Sequence, residues 1–424
     1  MREMKDSGIE WIGEIPADWT LQRGKTIFAQ RLTKGNQSEI LLAATQKYGM
    51  LPQSEVEGVV QVKEDADLQQ FRTVHKKDFV ISLRSFQGGF EYSQYEGVCS
   101  PAYQVFYNTN PICHNYYRLL FKSDGFIQKM NSMTVGIREG KNIQYSDFAN
   151  SLIPVPPINQ QQRIADYLDR KCSQIDTIIA RQQEVIEKLK AYKLSVITEA
   201  VTKGLNPNVP MKDSGVEWIG EIPEHWTVSA LRYGLENIQT GPFGSQLHAE
   251  DYIEDGIFVI NPANIVEGCI VPDNRCSVTE LKAQELSRHI LNKGDIIFAR
   301  RGEMGRCAYF GGSFQQYLCG TGCIKIQCNA NLMPEFISWF LQTSCVKQYL
   351  TLNSVGTTMA NLNTTIISGI PVVFPPISEQ EKVVEYIKNK ICEIDCVLKN
   401  KLSIVEKLTE YKKSLIYEVV TGKK

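Results

Sequence analysis

The sequence has no excess of either charge. Its 46 Lys and Arg stand against 47 Asp and Glu over 424 residues, so bulk basicity gives no sign of nucleic-acid binding and any such surface has to arise from local clustering. No apolar run approaches the ~20 residues of a membrane span, and the first residues, MREMKDSG, are charged. A cytoplasmic protein without membrane contact is expected. No Cys-x-x-Cys pair occurs among the 12 cysteines, and scattered thiols fit a reducing compartment. The nearest approach to a metal cluster is Cys319, Cys323 and Cys328, whose neighbours (CGTGCIKIQC) read as a strand carrying buried thiols. The five histidines, His75, His114, His225, His248 and His289, are isolated from one another. Gly24-Lys25-Thr26 lacks a phosphate-binding loop because the required earlier glycine falls on Trp19. Asn206-Pro207-Asn208 and Asn261-Pro262-Ala263 both fail the third position of an adenine methyltransferase box. Chemistry performed by this chain is not expected.

What the chain does contain, it contains twice. Residues 159–204 return at an offset of 219 as residues 378–423, and residues 4–20 (MKDSGIEWIGEIPADWT) return at an offset of 207 as residues 211–227 (MKDSGVEWIGEIPEHWT). The unit is a short opening motif, a variable region and a long helix, duplicated in tandem. The second variable region is 12 residues longer, and most of the gain precedes Asp295, the apparent counterpart of Asp78. Trp11 and Trp19, with Trp218 and Trp226, are expected to pack against the rest of the unit; contact with a partner is the alternative.

The helical reading rests on start, period and stop. Pro154, Pro156 and Pro157 precede the first copy, and Pro371, Pro375 and Pro376 the second. Asn159 with Gln162, and Ser378 with Glu381, have the spacing of capping boxes. Ile164, Leu168, Ile175, Ile178, Val185, Leu189, Tyr192 and Val196 then fill eight of ten heptad positions, interrupted by Lys171 and Gln182. Val383, Ile387, Ile394, Val397, Ile404, Leu408, Tyr411 and Leu415 do the same in the second copy, interrupted by Lys390 and Lys401. A narrow stripe of this period predicts a coiled-coil seam.

The variable regions alternate β-branched or aromatic runs with turn residues. Residues 78–83, 102–107, 256–261, 295–299 and 323–327 are predicted strands, and residues 115–130 and 333–350 predicted helices. The expected organisation is an opening motif (1–20), a first mixed α/β domain (21–155), a central helix (156–204), a linker with the repeated motif (205–227), a second mixed domain (228–374) and a C-terminal helix (375–424). The first domain carries 15 basic against 12 acidic residues, and the second 10 against 12.

The duplicated layout, the opening motif, the PPI-x-x-Q/E-Q-x start of each helix and the closing Val-Thr pairs resemble the specificity subunit of type I DNA restriction–modification systems, across essentially the whole chain. The resemblance implies two α/β (α+β) target-recognition domains separated by two long helices that form an antiparallel coiled coil, a pseudo-twofold tandem duplication. It implies a non-catalytic DNA-binding protein whose domains each read half of a bipartite duplex target. The helices would fix the spacing of the halves and dock two modification (methyltransferase) subunits that methylate adenine. Restriction/translocase subunits would complete the enzyme. S-adenosylmethionine, ATP and Mg are then expected on the partner subunits and no cofactor on this chain. A coiled-coil scaffold with two protein-binding domains and no DNA is the competing reading.

Three loops are candidates for DNA contact. Arg84, Ser85, Gln87 and Gly88 follow the first predicted strand, and Arg300, Arg301, Glu303 and Arg306 stand at the matching place, Arg84 aligning with Arg301. Arginine grips guanine and glutamine grips adenine in bidentate fashion, while glycine lets backbone approach closely. A plain hairpin with solvated arginines is the alternative. Arg138 and Lys141 before the first helix, and Thr357 and Thr358 before the second, suit phosphate contact. Ser245 and Gln246 belong to the glycine–phenylalanine loop Thr240-Gly241-Pro242-Phe243-Gly244-Ser245-Gln246, for which the first domain shows no clear counterpart.

Overall fold

A computed structural model describes residues 2–35, 40–56, 68–83, 88–133, 143–243, 245–353 and 362–424. The chain forms two compact units, one of Met1–Gln183 with Leu402–Lys424 and the other of Glu184–Lys401. The division runs through both long helices, so each unit holds the first part of one and the last part of the other.

In the first unit β1 (Phe28–Arg31), β2 (Phe79–Ile81), β3 (Phe90–Tyr92) and β4 (Gln104–Asn108) make a fully antiparallel sheet of order β1-β4-β2-β3. α1 (His114–Phe121) and α2 (Asp124–Met133) follow, then the long helix α3 (Ile158–Lys203). Phe28, Phe79, Phe90, Phe106, Phe121 and Phe148 fill the space between sheet and helices with edge-to-face and tilted contacts.

The second unit repeats the plan. β5 (Leu235–Thr240), β6 (Ile296–Ala299), β7 (Cys307–Tyr309) and β8 (Cys323–Cys328) form an antiparallel sheet of order β5-β8-β6-β7, followed by α4 (Pro334–Leu341), α5 (Ser344–Asn353) and α6 (Ile377–Val420). Asp78 and Asp295 are indeed counterparts. Each is buried just before its strand and accepts a hydrogen bond from the amide three residues back, His75 (2.9 Å) and Asn292 (2.8 Å). The single helices expected over 115–130 and 333–350 are each broken in two. At the breaks the buried Ser123 and Thr343 hydroxyls donate to the carbonyls three residues back, Leu120 and Phe340, both at 2.7 Å. A side chain that competes for helix carbonyls favours such an ending. Residues 320–322, expected within one strand, are a turn between the strand Tyr317–Cys319 and β8.

The long helices start two residues earlier than the capping boxes required. Both begin directly after proline, and the amides of Gln160 and Gln161 donate to the Pro157 carbonyl. Asn159 and Ser378 are exposed residues of the first turn. The buried glutamines Gln161 and Gln380 fix the start instead. Gln161 donates to the Pro156 carbonyl and accepts from the Cys113 amide; Gln380 donates to the Pro375 carbonyl and accepts from the Met333 amide.

The opening-motif tryptophans join the two long helices within each unit. Trp19 donates its Nε1–H to Gln160 of α3 at 2.8 Å and packs on Gly422 beyond α6. Trp226 donates to Glu379 of α6 at 2.9 Å and packs on Gly204 beyond α3. Gly204 (φ +73°) and Gly422 (φ +79°) are left-handed helix ends, a conformation that suits glycine. Both tryptophans are fully buried, as the packing reading expected.

The helix seam is the expected heptad stripe displaced by one residue in half of its positions. On α3 the inward-turned positions are Gln161, Ala165, Leu168, Cys172, Ile175, Ile179, Gln182, Ile186, Leu189, Lys193, Val196 and Ala200. On α6 they are Gln380, Val384, Ile387, Ile391, Ile394, Leu398, Lys401, Val405, Leu408, Lys412, Leu415 and Val419. Leu168, Ile175, Leu189 and Val196 are shared with the expectation; Ile178, Val185 and Tyr192 lie outside the seam and are exposed, as are Val397, Ile404 and Tyr411. Lys193 reaches Asp395, and Lys412 reaches Asp176, each at 2.6 Å. These are the same antiparallel contact, related by the 219-residue repeat.

Candidate nucleic-acid interface

In the second unit the loops at one end of the sheet converge. Gly241, after β5, donates to the Cys323 carbonyl at 2.9 Å, and a Cβ at Gly241 would lie 1.9 Å from the Gly320 carbonyl oxygen. Only glycine fits there. Arg300, after β6, donates its amide to the Gly322 carbonyl at 2.9 Å, and its carbonyl accepts from the Leu362 amide at 3.0 Å. The hairpin 300–306, the turn 320–322, residues 241–243 and Leu362 therefore share one edge of the domain.

Within that hairpin the candidate residues separate by what they touch. The Arg300 Nε donates to the Leu362 carbonyl at 3.0 Å, and burial, then the neighbouring Arg301 cation, hold its guanidinium below its ordinary pKa. Arg306 donates to the Pro262 carbonyl and to Glu303, both at 3.0 Å, and Lys347 of α5 stands 3.4 Å from Glu303. The hydrogen bond from Arg306, followed by the Lys347 charge, lowers the Glu303 carboxyl below its usual range. Arg301 is exposed and has no ion-pair partner among the described residues. Gly302 (φ +86°) and Gly305 (φ +77°) shape the turn around it.

Ser245 is exposed, and Gln246 is half-buried with its Oε1 accepting from the Phe243 amide (3.2 Å) and from Arg288 (3.4 Å). Phe243, just before them in the chain, is 59% exposed. Arg288 was not singled out in sequence; the signal available was its place in Ser287-Arg288-His289, basic but isolated.

Parts of this arrangement recur among the described residues of the first unit. Ser82 donates to the Gly89 carbonyl at 2.7 Å, closing the β2–β3 hairpin, and Gly88 has φ +88°. Arg84, Ser85 and Gln87 lie outside the described residues, as do Arg138, Lys141, Thr357 and Thr358. The Gln104 side chain, at the same end of β4, donates to the Ile143 carbonyl at 3.4 Å, the counterpart of the Arg300–Leu362 contact. The counterpart of the glycine–phenylalanine loop, unseen in sequence, is the stretch after β1, Leu32-Thr33-Lys34-Gly35. Its Lys34 donates to Gln70 at 2.9 Å.

Among the described residues no group of three or more His, Cys, Asp or Glu is placed to hold a metal ion. Burial pushes the thiols of Cys319 and Cys328 up to about 12 and that of Cys323 well above its usual value, which disfavours the thiolate a metal would need. No described helix is long and apolar enough to cross a membrane.

Comparison with known proteins agrees with this architecture. The family model for the Type I restriction modification DNA specificity domain matches residues 4–188 and 237–405. A Methanocaldococcus jannaschii protein named type I restriction enzyme MjaVIII specificity subunit is 24% identical over 361 residues, 82% of this chain and 80% of that protein. The Escherichia coli K12 EcoKI specificity subunit is 25% identical over 68% of this chain and 61% of its own length. Among solved structures, a chain from work on complex assembly and conformational transition of the type I R-M system aligns with a TM-score of 0.71 at 13% identity, covering 96% of this chain and 98% of that one. The HsdS subunit from Thermoanaerobacter tengcongensis aligns with a TM-score of 0.51 at 12% identity over 96% and 98%.

Proposed function

The chain belongs to the type I restriction–modification DNA specificity family, and from that premise we propose that its two sheet-edge hairpins read the two halves of a bipartite duplex target. It is the DNA target-recognition subunit of a type I restriction–modification system, with DNA and the other subunits of that system as partners; catalysis belongs to those subunits. The observation that supports the hairpin assignment is the repeated sheet, order β1-β4-β2-β3 and β5-β8-β6-β7, carrying at one position two hairpins of unlike sequence. A shared scaffold with unlike loops suits two readers of two different half-sequences.

Within the second hairpin Arg301 is the direct contact, while Arg300, Glu303 and Arg306 hold its shape. Ser245, Gln246 and the exposed Phe243 flank it. In the first domain Arg84, Ser85, Gln87 and Gly88 form the corresponding reader, and Arg138, Lys141, Thr357 and Thr358 are phosphate contacts. Modification subunits dock on the long helices, two copies on two repeats. Supporting this, Ile178, Val185 and Tyr192 and their repeat equivalents Val397, Ile404 and Tyr411 form a heptad-spaced row that is 37–55% exposed. A free apolar row beside a filled seam suits a partner helix. S-adenosylmethionine, ATP and Mg act on the partner subunits.

The test is duplex binding by the chain assembled with its modification subunit. Affinity should fall steeply with salt. Arg301→Ala should cost about 1–3 kcal/mol of discrimination in one half-site and none in the other. Salt-insensitive binding, or equal losses in both halves, would contradict the assignment.

A further inference from the structure

The first recognition hairpin is held by a contact that its counterpart lacks. Lys122, in the break between α1 and α2, donates to the Gly88 carbonyl at 2.9 Å and to Glu91 Oε1 on β3 at 2.7 Å. The Glu91 side chain is 1% exposed, and its Oε2 has no hydrogen-bond partner among the described residues. Burying a carboxylate this way costs free energy that one lysine does not fully offset. An apolar pair of similar volume would serve the core at least as well, so a role in fixing geometry explains the pair better than a role in stability.

The geometry concerns the hairpin. Gly88 is in the left-handed region, and a Cβ there would stand 2.7 Å from Ile127 Cδ1 on α2. The returning limb of the hairpin therefore packs closely on Ile127 of α2 and is tied by its carbonyl to Lys122. In the second unit the equivalent strand position is Ala308, and the equivalent helix break carries Gln342, whose amide donates to its own helix at Ser338. There the limb is tied by Arg306 to Pro262 and Glu303. Each hairpin has a brace, built from different residues.

We propose that Lys122, with Glu91 fixing its ammonium, is a positioning residue for target readout by the first recognition domain. It acts through the Gly88 carbonyl and does not itself touch DNA. The proposal rests on the reading that this hairpin meets the duplex.

The experiment uses the chain assembled with its modification subunit, binding the cognate duplex and duplexes altered in either half-site, at several salt concentrations. Lys122→Met should reduce discrimination in one half-site roughly tenfold, the size of one mismatched base pair, and leave the other half unchanged. Its salt slope should match the wild type, because no phosphate contact is lost. Lys122→Arg should restore much of the discrimination. If Lys122→Met folds poorly, the paired variant Glu91→Leu with Lys122→Met removes both charges and should fold while still losing discrimination. A salt slope lower by about one contact, with discrimination kept, would make Lys122 a phosphate ligand and overturn the proposal. So would a lowered Tm with discrimination kept in both halves. Arg84→Ala separates the two levels. If it leaves the first half-site unaffected, the hairpin reading fails; if it abolishes discrimination there while Lys122→Met does not, only the positioning role fails.

Discussion

His289 is 2% exposed, accepts a hydrogen bond at its Nε2 from Arg288 (3.0 Å), and lies close to the buried ammonium of Lys325. Burial, then the Arg288 and Lys325 charges, lower its pKa from 6.5 to about 4. The imidazole is neutral in the fold and protonates readily once unfolded. Between about pH 6.5 and 4 the unfolded chain therefore binds the extra proton, and stability falls as pH falls. Above that window the group has no effect. His289→Gln should remove roughly 1–2 kcal/mol of this pH dependence, read from denaturation midpoints at pH 7.5, 6 and 5; an unchanged slope would contradict it. The same residue scale shows where sequence reading stops. Arg300, Arg301 and Arg306 look equivalent in RRGEMGR, yet Arg300 and Arg306 are spent on carbonyls 62 and 44 residues away. Contacts of that range leave no mark in a local motif.

At the scale of elements, the long helices, the repeats and five of the strands were legible because period and punctuation are local. The seam register was not. Two adjacent rows of each long helix are both heptad-spaced and equally apolar: Ile164, Lys171, Ile178, Val185 and Tyr192 stand beside Ala165, Cys172, Ile179, Ile186 and Lys193. The buried row includes Cys172, Gln182 and Lys193. Hydrophobicity in a sequence records every surface that is covered in function, including those covered by another chain. It follows that Tyr192→Glu with Tyr411→Glu should leave the Tm of the isolated chain within a degree or two, since exposed sites away from the core contribute little. The same pair should weaken assembly with the modification subunit by at least roughly tenfold, because two charges would be buried at the contact. Sedimentation of the mixed subunits measures it, and undiminished assembly would place docking elsewhere.

For the whole molecule, the duplication explains why two units of one plan are built from a single chain. In each, an opening-motif tryptophan ties the first turn of one long helix to the end of the other, Gln160 with Gly422 and Glu379 with Gly204. Each unit is thus incomplete without residues from both repeats, although sequence alone parcels the helices as separate segments. The target itself is illegible in the sequence because base order depends on docking geometry that side-chain types do not contain. The most direct measurement is adenine methylation across the genome by single-molecule sequencing, in cells carrying this chain with its modification subunit and in cells lacking this chain alone. The account predicts a split, two-part methylated motif that disappears with the chain, and that changes in one half only when residues 21–155 are exchanged for those of another family member. Methylation that persists without the chain, or an exchange that alters both halves, would contradict it.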